Sequence, residues 1–318
     1  MEIEVWGRAE LTALAGSPAR ARALVREGAV RRVLRNAYVG SEHEDTVEVR
    51  VAAVRRSLPP DAAVTGRAAL WMLGVDVLER NALVDVVVPR GRNLRPQAGL
   101  RQHSALVGEA ELHEHHGLLL VSPARVIIDA ARLEAVHEAA VLGDASLRAG
   151  VTTPELLVQA LEPAKGLRGV LSARLVLPLL NPRSESPMES RVRVELALAG
   201  VETEAQTDLY DDGRHLGRAD LHVRGVVLEY DGLVAHTSRP AFTRDRRRHN
   251  AFSDAGLEVR RFSADDWYLR SRAALVQDVC RALLVAQGKT SRGSRGPDTQ
   301  RPPSLSPPVT LDRLRSAA

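Results

Sequence analysis

Leu216-Gly217-Arg218-Ala219-Asp220-Leu221-His222-Val223-Arg224-Gly225-Val226-Val227-Leu228-Glu229-Tyr230-Asp231 is the stretch on which the fold of the C-terminal half turns. Two alternating runs, Leu216–Val223 and Val226–Asp231, flank Arg224-Gly225. A glycine at the second central position suits a two-residue hairpin loop, although arginine at the first does not. In that register Val223 pairs with Val226, Leu221 with Leu228, Asp220 with Glu229, Ala219 with Tyr230 and Arg218 with Asp231. Alternation then places Ala219, Leu221, Val223, Val226, Leu228 and Tyr230 on one apolar face. The opposite face collects Arg218, Asp220, His222, Glu229 and Asp231.

Two carboxylates opposed across a ladder, with side chains starting about 5 Å apart, repel one another. A hard divalent cation with oxygen ligands offsets that repulsion, and Mg²⁺ (or Mn²⁺) held by one or two carboxylates and a phosphate is a common arrangement. An ordinary solvated face, with Arg218 neutralising Asp231 and a raised pKa relieving the pair, fits the hairpin equally well. Ser186-Pro187-Met188-Glu189 adds a third carboxylate. It reads as a capping box, Ser186 at N-cap and Glu189 at N3. Glu189 also shares a helical stripe with Val192, Leu196 and Ala199, which aims it at whatever that stripe packs on.

Beyond the hairpin come Asp231-Gly232, His236 and a basic helix starting near Pro240 with Arg244, Arg246, Arg247, Arg248 and His249. A solvated charged helix is the plain reading. Beside an acidic cluster the same charge would steer phosphate, with His236 a proton donor or phosphate ligand, or simply a structural hydrogen-bonding group. Glu258–Phe262 reads as a strand, and Ser263 caps a helix through Asp265-Asp266-Trp267.

Upstream, residues 1–42 read helix, turn, helix, hairpin. Arg8–Ala15 is closed by Gly16, and Ser17-Pro18 supplies an N-cap and an N1 proline for Ala19–Glu27. Val30–Val39 gives two short strands with a turn at Arg35-Asn36. Arg20, Arg22 and Arg26 on the second helix, with Arg31, Arg32 and Arg35 in the hairpin, match a winged helix-turn-helix: a basic helix for the groove and a basic wing for the backbone. A small basic hairpin that packs on its neighbour is the alternative. Residues 45–180 mix helices (Val47–Ser57, Gly66–Leu73, Ala124–Leu133) with strands (Leu83–Pro89, Gly99–His103). His113, Glu114, His115 and His116 match no standard ligand spacing and are expected in a solvated loop.

Composition bounds the rest. At 318 residues, 44% hydrophobic and 26% charged, the chain can bury about two cores. Of its 44 basic residues all but Lys165 and Lys289 are arginine, a bias compatible with phosphate contacts or with codon composition alone. The lone Cys280, in the apolar helical pattern Ala273–Val285, is expected to be a buried thiol and fits a reducing, cytoplasmic setting. No apolar run approaches the roughly 18 residues of a membrane span. Residues 288–318 are rich in Ser, Pro, Gly and Arg and are expected to be a disordered tail.

Together, Ser186-Pro187-Met188-Glu189-Ser190, Gly217-Arg218-Ala219-Asp220, Leu228-Glu229-Tyr230-Asp231-Gly232, His236, Arg244–Asn250 and Arg261–Asp266 resemble a family similar to the very-short-patch-repair (Vsr) endonuclease, within the PD-(D/E)XK nuclease superfamily. The resemblance spans about 183–287. It implies a mixed sheet flanked by helices, with Asp220 and Glu229 binding Mg²⁺ aided by the Tyr230 carbonyl, and Glu189 assisting. Asp231 stands where the superfamily carries a lysine, and His236 is the residue that would compensate. More loosely, Arg31-Arg32-Val33, Tyr38-Val39 and Ser122-Pro123-Ala124-Arg125 with Ile128-Asp129 resemble AbiEi-type antitoxins. That resemblance implies DNA binding by a winged helix and a toxin partner.

The expected architecture is α/β and α+β. It comprises a winged helix-turn-helix (1–42), a middle α/β domain (45–180), a restriction-endonuclease-like domain (183–287) and the tail. The leading expectation is a DNA-binding protein that cuts phosphodiesters; the other is a non-enzymatic repressor or antitoxin of a toxin–antitoxin or phage-defence system.

Overall fold

The computed structural model describes residues 3–77, 82–89, 91–232 and 239–290, without the side chains of 239–245 and 289–290. The fold is a mixed α/β arrangement with three sheets. Backbone contacts divide the chain into two units, 1–130 with 151–164 and 131–150 with 165–318.

The first unit starts with α1 (Arg8–Ala15) and α2 (Pro18–Arg26), then the antiparallel hairpin β1 (Val30–Leu34) and β2 (Ala37–Gly40). Local chemistry sets each boundary. Gly16 closes α1 at φ 74°, and the Ser17 hydroxyl accepts from the Arg20 amide at 3.1 Å. Asn36, at φ 61°, makes the expected turn. Leu11, Ala21 and Val30 form a small core under these elements.

Next come α3 (Val47–Ser57), β3 (Ala63–Thr65), α4 (Gly66–Met72), β4 (Val84–Val88), β5 (Leu100–Ser104), β6 (Leu112–His115), β7 (Leu118–Val121) and α5 (Pro123–Leu133). The strands make a five-stranded sheet ordered β5-β4-β3-β7-β6. The expected histidine loop is instead strand: His113 pairs with Leu120 and His115 with Leu118, and the hairpin turns at His116-Gly117, both at positive φ. The apolar run Leu118–Val121 provides the ladder that draws the histidines into the sheet. Arg125, on α5, is buried between Glu111 and Asp129, at 2.7 Å from each, which gives the Ser-Pro-Ala-Arg motif a structural role.

α6 (Val136–Arg148) belongs to the second unit and α7 (Pro154–Leu161) to the first. The second unit continues through α8 (Val170–Val176), α9 (Pro187–Leu198), β8 (Glu204–Asp211), β9 (Arg214–Val223), β10 (Val226–Tyr230), α10 (Arg239–Asp254), β11 (Glu258–Phe262), α11 (Ala264–Tyr268) and α12 (Arg272–Thr290). Its sheet runs β11-β10-β9-β8, parallel between β10 and β11 and antiparallel elsewhere.

Both faces of this sheet are packed. Leu221, Val223, Val226 and Leu228 meet Val192 and Leu196 of α9 and Leu275 and Val279 of α12. On the other face Ala219, Val227 and Leu209 meet Phe252 of α10. Two expectations are corrected here. The second face is not wholly polar, and Ala219 lies on it, opposite to Leu221. The physical reason is a break in the β8–β9 ladder: pairing runs Ala205↔Leu221 and resumes at Thr207↔Ala219, with Gln206 at φ 51°. On α12 the buried stripe is Leu275, Val279, Ala282 and Ala286. Cys280, one step round the helix, is exposed rather than buried. α12 continues to Thr290; 291–318, where the tail was expected, lie outside the described residues.

Candidate functional site

The hairpin turn has the expected register at its tip, Val223↔Val226 and Leu221↔Leu228, with Arg224 and Gly225 at φ 46° and 81°. One pair further on, the direct opposition of Asp220 and Glu229 gives way to a different contact. The Asp220 carboxylate accepts from the Tyr230 backbone amide at 2.8 Å, filling the place of a ladder bond. Its second oxygen lies 3.5 Å from the Gln206 side-chain nitrogen.

Glu189 reaches the same spot from α9. Its amide takes the Ser186 hydroxyl as a cap at 3.1 Å, as a capping box requires. A hydrogen bond with the Ser186 side chain also holds its own carboxylate. The carboxylate accepts from the Glu185 amide and from the Gln206 side chain, each at 2.9 Å. Glu189 is 5% exposed. Burial and, secondarily, the negative charge of Asp220 hold its pKa above the ordinary carboxyl value, despite the hydrogen bonds that pull it down. The stripe that aims Glu189 inward includes Val192 and Leu196, both fully buried, but ends before Ala199, which is exposed at the C-cap.

Glu229 is 3% exposed and is held by two cations: Arg248 of α10 at 3.2 Å and Arg261 of β11 at 3.5 Å. Arg261 also reaches Asp231 at 3.5 Å, whereas Arg218 pairs with Glu185 at 3.0 Å. The expected Arg218–Asp231 neutralisation is therefore replaced by two separate pairs, because the strands part beyond Leu221. The Tyr230 carbonyl accepts from the Gly232 amide at 3.2 Å. His222 is buried and its Nε2 accepts from the Gly225 amide at 3.3 Å, so it braces the turn.

The structure thus brings Glu189 and Asp220 together and gives Glu229 and Asp231 to arginines. Among the described residues no group of three or more His, Cys, Asp or Glu is placed to hold a metal ion. His236 lies outside the described residues, as does the Arg244 side chain, while Arg247 is exposed on α10. Sequence reasoning missed Gln206, and gave Arg261 no site role although it opens a stretch that carries the resemblance. Gln206 belongs to a strand whose pairing with β9 no local pattern announces, and Arg261 is one arginine among many.

In the first unit Arg20, Arg22, Arg26 and Arg32 are exposed, Arg20 beside Glu27 at 3.5 Å. Arg31 is tied down, donating to the His43 carbonyl at 3.1 Å and pairing with Asp45 at 3.5 Å. No helix among the described residues is long and apolar enough to cross a membrane.

No family model matches the chain. Two uncharacterised proteins of Mycobacterium tuberculosis, MT2308 of strain CDC 1551 / Oshkosh and Rv2248 of strain ATCC 25618 / H37Rv, are each 27% identical over 245 residues. The match covers 76% of this chain and 88% of theirs. The crystal structure of RV2827C protein, also from Mycobacterium tuberculosis, aligns over 64% of this chain and 78% of its own, with TM-score 0.41 and 17% identity.

Proposed function

We propose that this chain is a DNA-binding protein whose second unit is a PD-(D/E)XK nuclease-type domain hydrolysing DNA phosphodiesters with Mg²⁺ or Mn²⁺. One observation carries the reading: two carboxylates from different elements, Glu189 and Asp220, meet at a single amide in a mostly buried place. Like charges set together away from water cost stability, and a hard cation relieves that cost. Carboxylate oxygens suit Mg²⁺, so the donor chemistry fits. Asp220 and Glu189 would hold the ion, with Glu229 and the Tyr230 carbonyl following from the family resemblance. A bound Mg²⁺ would supply an oriented water and neutralise charge on the phosphate oxygens. The chain's own arginines do the rest: Arg248 and Arg261 hold Glu229, and with Arg247 they place positive charge where a phosphate would arrive. The helix-helix-hairpin start serves as a winged helix, with Arg20, Arg22, Arg26 and Arg32 toward the duplex.

A second reading is a repressor or antitoxin that binds DNA, and a toxin protein, without cutting. It is favoured by the two arginines on Glu229, which occupy a carboxylate that the family would give to the metal. A plasmid-nicking assay with Mg²⁺ or Mn²⁺ decides between them. Nicking by wild type and none by Asp220→Ala supports the nuclease; equal nicking by both sinks the assigned site; none by either favours the second reading. Replacing Arg20, Arg22 and Arg26 together by Ala should weaken DNA binding and lower its salt slope, and an unchanged slope would move the interface elsewhere.

A further inference from the structure

We propose that Gln206 is a positioning residue of this site, its side-chain amide holding the Glu189 and Asp220 carboxylates as one fixed pair ready for a divalent cation. The inference rests on the nuclease reading and goes beyond it by naming what builds the pair. Three observations lead to it. Gln206 Nε2 donates to Glu189 at 2.9 Å and lies 3.5 Å from Asp220 Oδ1, so one NH₂ group spans helix and strand. The β8–β9 ladder is interrupted at Gln206 and Asp220 alone between Glu204 and Leu209. At that break Gln206 sits at φ 51°, inside a strand.

The backbone is the informative part. A left-handed conformation suits glycine, and asparagine tolerates it better than glutamine does. If position 206 served only to bend the strand, Gly or Asn would be the better residue. Glutamine adds reach: its longer side chain places an amide between the two carboxylates, within 2.9 Å of Glu189 and 3.5 Å of Asp220. The strain is the kind that persists where surrounding structure fixes it and the side chain is used. The ladder break also moves Ala219 to the other face, which leaves Asp220 at the gap beside Tyr230 instead of in a regular pair.

The test separates shape from the amide, using the full chain. Gln206→Gly and Gln206→Asn keep or ease the backbone and remove or shorten the amide. Mn²⁺ binding is measured by titration calorimetry, and thermal unfolding is measured without metal. Both variants are expected to stay folded and to bind Mn²⁺ about tenfold or more weakly than wild type, the size of loss usual for residues that orient metal ligands. A double-mutant cycle of Gln206→Gly with Glu189→Gln, read as metal-free Tm, should show non-additivity because the two side chains are in contact. Additive Tm changes overturn the proposal whatever the metal result. Wild-type-like Mn²⁺ affinity in Gln206→Asn and Gln206→Gly also overturns it. Non-additivity together with no Mn²⁺ binding by wild type leaves the amide bridge standing but refutes the nuclease reading and the cation role with it.

Discussion

Removing the Asp144 carboxylate tests what holds Glu189 in place. Asp144, on α6, is fully buried. It accepts from Arg193 Nη2 and from the Asn181 amide, each at 2.6 Å. Arg193 is 6% exposed and stands on α9, one turn beyond Glu189. Its other donors are used: Nε on the Ser184 hydroxyl at 3.1 Å, Nη1 on the Leu179 carbonyl at 2.5 Å. Asp144→Ala strands a guanidinium away from water, and breaking a buried pair from one side costs roughly 3–5 kcal/mol. In a unit of this size each kcal/mol moves Tm by roughly 2–4 °C, so a fall of about 6–20 °C is expected. Differential scanning calorimetry or circular dichroism measures it. Asp144→Leu with Arg193→Met removes both charges and should recover most of the loss, since apolar replacement of a whole buried pair is often near neutral. A loss under about 1 kcal/mol in Asp144→Ala would refute the reasoning, because it would mean that water reaches Arg193 once its partner is gone. The consequence for the site is geometric. α6 and α9 are also fastened by Glu138–Arg191 at 2.7 Å and His137–Glu195 at 2.8 Å. On the proposed function, loosening the central pair should therefore weaken Mn²⁺ binding even below the melting range.

Gly217→Ala places a Cβ 2.8 Å from the Arg248 Cγ at φ 148°, and should cost about 1–3 kcal/mol in urea unfolding while displacing the Arg248–Glu229 pair. Burial and the neighbouring Asp220 raise the Glu189 pKa, so folding favours its protonated form. Metal-free stability should fall as pH rises through the ordinary value of 4.5 toward the raised one, and Glu189→Gln should flatten that limb of a urea-midpoint titration. Burial lowers the His222 pKa, so stability should be lost as pH falls below 6.5, where the unfolded chain takes up a proton that the fold refuses. His222→Gln, which can still accept from the Gly225 amide, should remove that dependence.

Helix ends and hairpin turns were legible because their causes are local. Ser17 and Ser186 cap the helices they precede, and Glu258–Phe262 is the expected strand. What escaped depended on elements distant in sequence. The polar face of the β9–β10 hairpin looked open because nothing in the hairpin itself announces α10, whose Phe252 buries Val227 and Ala219. The swap of Ala219 follows from a break shared with β8, so no period-two reading of β9 alone could find it. Cys280 shows the same limit in a helix: an apolar stretch says that one stripe is buried, and the packing decides which.

The position of Asp231 turns on the same point. The resemblance asks for a lysine there, and read along one strand the missing charge weakens the case for chemistry. Read across the sheet, the charge is present. β11 lies parallel to β10 with Glu229↔Arg261 in register, and Arg261 reaches both Glu229 and Asp231 at 3.5 Å. Arg248 arrives at Glu229 from α10 on the other side. A guanidinium is always charged and offers a rigid fork, whereas a lysine ammonium can lose its proton. These arginines can therefore neutralise Glu229 and hold a phosphate, but they cannot serve as a proton-accepting amine. If the site cuts DNA, the proton from the attacking water must go to another group. Arg261→Lys then discriminates between the two roles: it should weaken DNA binding modestly through loss of the fork, and it should leave the pH dependence of any cleavage unchanged. A loss of cleavage in Arg261→Lys far out of proportion to the loss of DNA binding would place position 261 in the chemical step and refute this division of labour.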